Sequence, residues 1–328
     1  MSLNLRIKDN DALNICQVSL SGNIPIIVQN IKKFKSYYKN INVYLICPDN
    51  EISIFKKKVN LEDVSIISEN KILSKKKFNK IFFQLSKNYK YKNFFKERLS
   101  WYYQQILKIS FLFFFVQNYK KNMIIWDADT LIVNKIDFFK NSKSVKYGTF
   151  SEFHTSYYQF NKNFLGKLPK YFISYLVQFV GLTFQEFKHI NKKFKIKNSK
   201  INTISFQLTK KILNLIFKIN KNYNGSLFSE FELIGMSNYN YSPKMQLPLL
   251  NLRKGLNGCF TQKQIRILKF LNFHHVTYEH THPNKPSIGM LKRSIKWTFF
   301  FNILIKNLIK FNLKYIKHRI LYFLKLKF

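Results

Sequence analysis

Along the first 70 residues the apolar positions change period twice. NICQVSL at 14–20 is an apolar run of strand length closed by a turn at SGN, 21–23. PIIVQNIKKFKSYY at 25–38 then places apolar residues at 27, 28, 31 and 34. That spacing is helical, and Pro25 suits a first helical turn because its missing N–H would have no partner there. INVYLICPDNE at 41–51 reads as a second strand stopped by Pro and Asp, and DVSIISEN at 63–70 as a third. Strand, helix and strand at these intervals predict an α/β fold and the start of a parallel sheet.

Farther along, residues 71–96 are rich in Lys, Asn and Phe and read as irregular, whereas ERLSWYYQQILKISFLFFFVQNY at 97–119 lacks Gly and Pro and predicts one long helix. MIIW at 123–126 is the next strand and SVKYGTFSEF at 144–153 another. Residues 165–222 read as mostly helical, with a basic, solvated connector at 188–200, and NGSLFSEFELIGM at 224–236 starts a new helix. Residues 251–290, with Gly, Pro and four of the seven histidines, show no clear period, and no internal repeat is visible.

Candidate chemistry enters at WDADT. Asp127 and Asp129 follow MIIW in a chain with 16 acidic residues against 56 basic ones. Carboxylates at i and i+2 of an extended chain point the same way, and the carboxyl edge of a parallel sheet faces the ligand crevice. Two hard oxygen ligands there suit Mg²⁺ or Mn²⁺, which in turn neutralises a diphosphate. A D-x-D that merely ends a strand and solvates a turn is the alternative.

WDADTLI, preceded by RLSWYYQQILKIS at 98–110 and followed by SEFELIG at 229–235, resembles bacterial D-x-D glycosyltransferases of the GT-A fold. The likeness is to a group with a W-x-x-Q-Q-x-x-K helix, a D-x-D-T strand and an S-E-x-E-x-x-G segment. The three blocks span roughly residues 97–235 in the expected order, while the first 70 residues match only in general pattern. The resemblance implies a GT-A-like mixed, mostly parallel sheet flanked by helices and a hexosyltransferase-type enzyme, with the donor bound at Asp127, Ala128 and Asp129 and a divalent metal held by Asp127 and Asp129. It implies one sugar moved from a nucleotide-sugar donor (UDP-, GDP- or CMP-type) to a glycan or glycolipid acceptor. On that reading residues 1–150 are the nucleotide-sugar-binding half, 151–290 the acceptor side with helices, and 291–328 membrane-surface helices.

The remaining candidates follow from position. Arg98, Trp101, Gln105 and Lys108 share one helical face, and with Gln104 they offer phosphate and hydroxyl partners; a polar helix face packed under a loop is the alternative. Ser19, Ser21 and Glu69 end the first and third strands, where such folds bind the nucleotide. Ser229 and Glu232 have capping-box spacing, with Phe228 and Leu233 as a staple. Glu230 is then expected free on the first turn, kept ionised by the helix dipole and suited to act as a general base. Gln207 is noted for a retaining mechanism, which needs no such base. His280 and His282, beside His274, His275 and Glu279, are candidates for a further metal ligand; Glu152 and His154 are candidates for the acceptor pocket.

Composition adds three points. A formal net charge of +40 predicts a strong positive field, although Lys, Asn, Ile, Phe and Tyr all run high, as in A+T-rich genomes. No nucleic-acid-binding module is recognisable, so nucleic acid is not an expected partner; a basic nucleic-acid-binding protein or a non-catalytic membrane scaffold are the alternatives. Cys16, Cys47 and Cys259 have no metal-type spacing, and Cys16 and Cys47 read as buried thiols. The N-terminus shows no signal peptide, and the longest uncharged run, Tyr171–Gln185, is shorter than the roughly 20 residues a membrane span needs. From 280 to 328 there are eleven Lys or Arg and no acid. Lys306, Lys310, Lys314 and Lys317 share a helical face, with Leu304, Leu308, Phe311 and Tyr315 opposite. This is a basic amphipathic tail suited to an anionic membrane surface. The expected location is cytoplasmic, peripheral on the inner face of the cytoplasmic membrane.

Overall fold

The computed structural model describes Leu5 and residues 11–59, 61–87, 98–149, 154–166, 174–219, 226–237, 250–253, 260–278 and 295–324. β1 (Leu13–Val18), α1 (Ile24–Tyr37), β2 (Ile41–Cys47), α2 (Ile52–Lys58) and β3 (Val64–Ser68) form two successive parallel units. After α3 (Glu69–Ile72), α4 (Lys75–Leu85) and the long α5 (Leu99–Tyr119), the chain returns through β4 (Met123–Trp126) to the free side of β1. β8 (Phe179–Leu182) then adds antiparallel to β4, giving a five-stranded order β3-β2-β1-β4-β8. The mixed, mostly parallel sheet flanked by helices agrees with the reading of the sequence.

Every residue of β2 is buried, as befits a parallel strand covered on both faces. Alternation sorts the side chains: Ile15, Val43, Ile124 and Trp126 pack under α1 with Ile27, Ile31 and Phe34. Cys16, Tyr44, Met123 and Ile125 pack on the other face beneath α5. Buried residues surround most of α5, so it forms the middle of a layer rather than its surface. α6 (Thr155–Leu165), α7 (Phe184–Phe194), α8 (Ile201–Ile219) and α9 (Glu230–Ser237) complete that layer. A smaller sheet, β5 (Thr130–Ile132), β10 (Phe273–Thr277) and β9 (Leu250–Arg253), packs with α10 (Gln262–Phe270) and the start of α11 (Trp297–Leu324) in a third core. β6 (Phe139–Lys140) and β7 (Lys143–Ser144) form a hairpin that turns through Asn141 and Ser142 at positive φ.

Several expectations change. The stretch read as irregular from residue 71 contains α4, capped by Ser74, whose hydroxyl accepts from the Lys77 N–H at 3.3 Å. Its apolar face of Phe78, Ile81 and Phe82 was masked in the sequence by the lysines between. The strand expected at 144–153 is only the short hairpin arm at Lys143–Ser144, and 150–153 lie outside the described residues. Within 165–222, read as mostly helical, Phe179–Leu182 is a strand; an apolar run buried on both faces carries no period to tell the two apart. The connector expected at 188–200 begins inside α7, whose Lys192 and Lys193 face outward while Ile190 and Phe194 are buried.

The glycine of SEFELIG has a steric reason. A Cβ on Gly235 would lie 2.2 Å from Cγ and 2.5 Å from Cβ of Tyr175, so α9 approaches the segment before β8 as only glycine allows. Gly235→Ala is expected to cost about 1–3 kcal/mol in urea unfolding. Gly22→Ala, whose added carbon meets nothing within 4 Å, is expected to stay within ~0.5 kcal/mol. Equal stability of the two variants would contradict this close approach.

Candidate functional site

The strand order places a topological switch between β1 and β4: from β1 the chain goes to β2 on one side and later to β4 on the other. At such a point the carboxyl ends of two neighbouring strands diverge into a crevice. Ser19 follows β1 and Asp127 follows β4, so both flank it. Ser19 is buried; its N–H donates to the Ile46 carbonyl at 2.9 Å and its hydroxyl to the Leu20 carbonyl at 3.0 Å. The Ser21 N–H donates to Glu51 Oε2 at 2.7 Å. Ser19 and Ser21 thus stand at the expected edge, and both already have partners within the fold.

The same edge gathers carboxylates. Ser68 at the end of β3 and Asn70 just beyond it both donate to Asp49, after β2. The Ser68 hydroxyl above all, with Asn70 and the charge of Lys71, holds the Asp49 carboxyl below its ordinary value. Burial raises Glu69, with the Asp49 and Glu51 charges adding to it. Burial likewise pushes the Cys47 thiol up to about 12, so it is an inert buried group, as is Cys16, whose thiol burial also raises. Cys259 lies outside the described residues.

The D-A-D segment is a turn, not the extended chain on which a shared carboxylate direction was argued. The Thr130 N–H donates to the Asp127 carbonyl at 3.1 Å, closing four residues between β4 and β5. The indole of the fully buried Trp126 donates to the Thr130 carbonyl at 2.7 Å, and Asn30 of α1 donates to the same oxygen at 2.7 Å. Asn30 also accepts from the Ile132 N–H at 2.8 Å, so one buried amide braces the start of β5 as a strand partner would. The Asp127 N–H donates to the Gln178 carbonyl at 2.9 Å, and the Asp129 carbonyl accepts from the Tyr278 N–H at 2.8 Å. Asn30, Gln178 and Tyr278 did not stand out in the sequence. The signal at Asn30 was a polar residue on the apolar side of α1; Gln178 and Tyr278 gave none.

Asp127 is not a free ligand. Lys108 reaches it from the middle of α5, and the same ammonium donates to Glu230 Oε1 at 2.9 Å. Lys108 is 2% exposed, Glu230 0% and Asp127 22%, so the cation is sealed between one interior carboxylate and one at the rim. Burial alone would lower the lysine's pKa; Asp127 and Glu230 outweigh it and hold the ammonium charged, above its ordinary value. Burial raises the Glu230 carboxyl, Lys108 opposes this and the Asp127 charge adds to it. The two directions agree physically, since one cation serves two anions. The Lys108 ammonium also lies 5.0 Å from the centre of the Phe231 ring.

Glu230 is therefore corrected from a free first-turn carboxylate to a buried, paired one, although Glu230 Oε2 is buried without a hydrogen-bond partner. Gln105 and Lys108, candidates for phosphate and hydroxyl ligands with a packed helix face as the alternative, are buried ties within the fold: Gln105 Oε1 accepts from the Glu230 N–H at 3.0 Å. Half of the expected capping box forms, with Ser229 accepting from the Glu232 N–H at 3.4 Å. The Glu232 carboxylate turns instead to the Ser174 hydroxyl and to the Tyr175 N–H, the latter at 3.1 Å.

The other candidates are dispersed. Arg98 is exposed at the start of α5, and Trp101 stacks on Tyr157 with ring centres 6.3 Å apart. Gln207 lies on α8 with its Oε1 buried and without a hydrogen-bond partner. His154 precedes α6 with its ring beside Tyr157, and His275 is buried against Trp126 and Phe179. Glu152, Glu279, His280 and His282 lie outside the described residues. Among the described residues no group of three or more His, Cys, Asp or Glu could hold a metal. Asp127 and Asp129, both partly exposed, are compatible with a cation that completes its oxygen shell from a bound phosphate and water. With Lys108 on Asp127 Oδ1, Asp129 and the second oxygen of Asp127 are the candidate ligands. Two hollows of about 430 Å³, one lined by Asn14, Lys120 and Lys121, the other by Lys35 and Asp63, lie at the amino edge of the sheet and play no part here.

Comparison with known proteins gives remote likenesses. The chain is similar to a crystal structure of mouse xyloside xylosyltransferase 1 in its apo form, at 12% identity and a TM-score of 0.39, covering 84% of this chain and 99% of that one. It is also similar to an apo structure of the bifunctional glycosyltransferase WbbM, at 10% identity and a TM-score of 0.33 over 92% of this chain; it spans 50% of WbbM's length. No curated protein matches the chain. One family model covers residues 11–180, which take in β1 to β7, the first residues of β8, the D-A-D turn and Lys108. The chain belongs to the family of unknown function DUF6492.

Proposed function

We propose that this protein is a glycosyltransferase of GT-A type that binds a nucleotide-sugar donor at the switch between β1 and β4. One observation carries the reading. Three sequence blocks more than a hundred residues apart at their extremes meet at one ammonium: Lys108 from the W-x-x-Q-Q-x-x-K helix, Asp127 from the D-x-D turn and Glu230 from the S-E-x-E-x-x-G segment. A D-x-D that only solvated a turn would not require a buried lysine held against it. The carboxyl edge supplies the rest: Ser19, Ser21 and Glu69 beside the nucleotide, and Asp127-Ala128-Asp129 beside the diphosphate.

In this reading Asp129 and Asp127 would hold Mn²⁺ or Mg²⁺, which would supply charge neutralisation to a leaving nucleoside diphosphate. Lys108 fixes the Asp127 carboxylate, leaving one of its oxygens directed by the ion pair, and so acts as a positioning residue. Arg98, exposed at the start of α5, is the remaining helix candidate for sharing phosphate charge. The transferred group is a hexose and the acceptor a bacterial surface glycan of lipooligosaccharide type. Glu230, sealed and paired, serves the site as a counter-charge to Lys108 rather than as the base.

Two outcomes test this. In a thermal-shift screen of UDP-, GDP- and CMP-sugars with Mn²⁺, one donor class is expected to stabilise the wild type by ~2.7 kcal/mol at a hundredfold excess over Kd. Asp129→Ala is expected to abolish that shift. Asp129 is the position to change because removing Asp127 would also disturb Lys108. No shift with any donor, or an equal shift in the variant, would remove the proposal.

Lys108→Met would leave two carboxylates facing each other without a cation, at a cost of about 3–5 kcal/mol near neutral pH. With the ammonium gone, the Glu230 carboxyl rises further above its unfolded value. A carboxyl of this kind binds its proton more tightly in the folded state, so stability is regained as pH falls through the raised value. Urea unfolding of Lys108→Met is therefore expected to show a deficit that narrows from pH 8 to pH 5. Adding Glu230→Gln should recover part of it at pH 8. A deficit independent of pH would show that the lysine contributes packing alone.

A further inference from the structure

α11 presents three faces. Phe300 and Leu304 are buried in the third core with Ile295, and Leu308 is half-covered. Phe300 meets Phe260 at 5.6 Å between ring centres, and Gln264 of α10 donates to the Ile295 carbonyl at 2.8 Å, so the helix is anchored at its start. Leu304 and Leu308, expected on the membrane side, are thus the docking face; the side chains of Phe311, Lys314, Tyr315 and Lys317 lie outside those described.

About a third of a turn round from that face runs a second apolar stripe that the domain does not cover: Trp297, Phe301, Ile305, Ile309, Leu313 and Ile316. Their exposures run from 43% at Trp297 to 62% at Leu313, and they recur at steps of four, four, four, four and three. The stripe spans roughly 28 Å of helix. Trp297 stacks on Phe301 at 5.8 Å, forming an aromatic plate at one end. Lys306 and Lys310, both exposed, follow the stripe on its far side. No acidic residue lies between 280 and 328. A continuous apolar stripe of this size on a helix is not left to water without cause.

We infer that this stripe and its lysine row dock the protein on an anionic lipid bilayer, with α11 lying in the plane of the interface. Charge selects the occupant. A second copy would bring two lysine rows together in a chain of net charge +40, and a nucleic acid would use the lysines but gain nothing from Ile305, Ile309 and Leu313. An anionic bilayer satisfies both faces, since acyl chains take the apolar stripe and head groups take the ammonium groups. No helix among the described residues is long and apolar enough to cross the bilayer, so the contact is superficial. The inference is independent of the proposed transferase reaction, and its failure would leave that reading intact.

Cosedimentation of the full chain with vesicles tests it. At 0.1 M salt the wild type is expected to bind phosphatidylcholine vesicles containing 30% phosphatidylglycerol at least ~10-fold more tightly than pure phosphatidylcholine. I305N/I309N/L313N, at exposed positions, should keep the wild-type melting curve and lose ~10-fold or more in vesicle affinity. K306Q/K310Q should weaken binding to anionic vesicles only. Three results would overturn the inference: no binding by the wild type, undiminished binding by the apolar variant, or a wild-type dimer that this variant converts to monomer without any vesicle binding. Tight binding to duplex DNA that the apolar variant leaves unchanged, with vesicle binding absent, would assign the lysine row to nucleic acid instead.

Discussion

A single ammonium, that of Lys108, is the constraint around which the site is organised. It lies at 2% exposure in the middle of α5, where an isolated charge would be expelled or neutralised. Two carboxylates keep it charged, and each arrives from a different part of the chain: Asp127 at the end of a central strand, Glu230 at the start of a short helix. Losing either carboxylate would leave the ammonium a single partner, and losing the ammonium would leave two carboxylates without a counter-charge. Replacing all three with apolar groups of similar size would cost the fold little, because buried ion pairs contribute less than their Coulomb energy suggests. Retaining the charges therefore needs a reason beyond stability. Position supplies one: an ion pair fixes one oxygen of Asp127, and so the direction of the other, where a packed leucine would fix nothing.

The surrounding polar groups serve the same turn. Trp126, Asn30 and Thr130 share a single carbonyl oxygen and the backbone on either side of it. Gln105 and Tyr102 carry the bracing outward: Gln105 accepts from the Glu230 N–H, and the Tyr102 hydroxyl accepts from the Leu227 N–H at 3.0 Å. One face of α5 thus holds the loop before α9 and the start of α9 itself, and Gly235 lets that helix close on Tyr175. Four elements are fixed relative to the end of β4 before any ligand arrives. Such preorganisation is what a site for a charged, multi-part substrate requires.

How much of this was legible in the sequence depended on whether the signal was local. The sheet was, because β1, β2 and β4 are apolar runs closed by turn residues and the period between them is helical. The acidic pair was, because acids are rare and these two end an apolar strand. What each polar residue of α5 touches was not. Gln105 and Lys108 stayed open between ligands and a packed face, because residue type and helical spacing cannot say whether a face meets water or another helix. Only the fold shows that α9 covers them. Glu230 failed for the same reason: a first-turn carboxylate reads as free until its helix is packed. β8 was missed because a strand buried on both faces has no polar beat to reveal it.

The placement of charge over the whole molecule bears on how the proposed site would work. Lysines dominate the surface, so a donor diphosphate approaches a protein whose field attracts it from any direction. Asp49, Glu51, Glu69 and Asp127 nevertheless crowd the carboxyl edges of the strands, and this local concentration of anions opposes the last few ångströms of that approach. Lys108 does not offset it for a ligand, since its charge is already shared between two carboxylates. A diphosphate at this edge thus needs a mobile cation between itself and the acids, or a flexible side chain such as Arg98 reaching over them. The carboxylates that repel a bare diphosphate are the ones that would collect the cation. On this view the acidic edge would discriminate: it would hold a phosphate group that arrives with a divalent ion and turn away the many anions that the lysine-rich surface would otherwise gather.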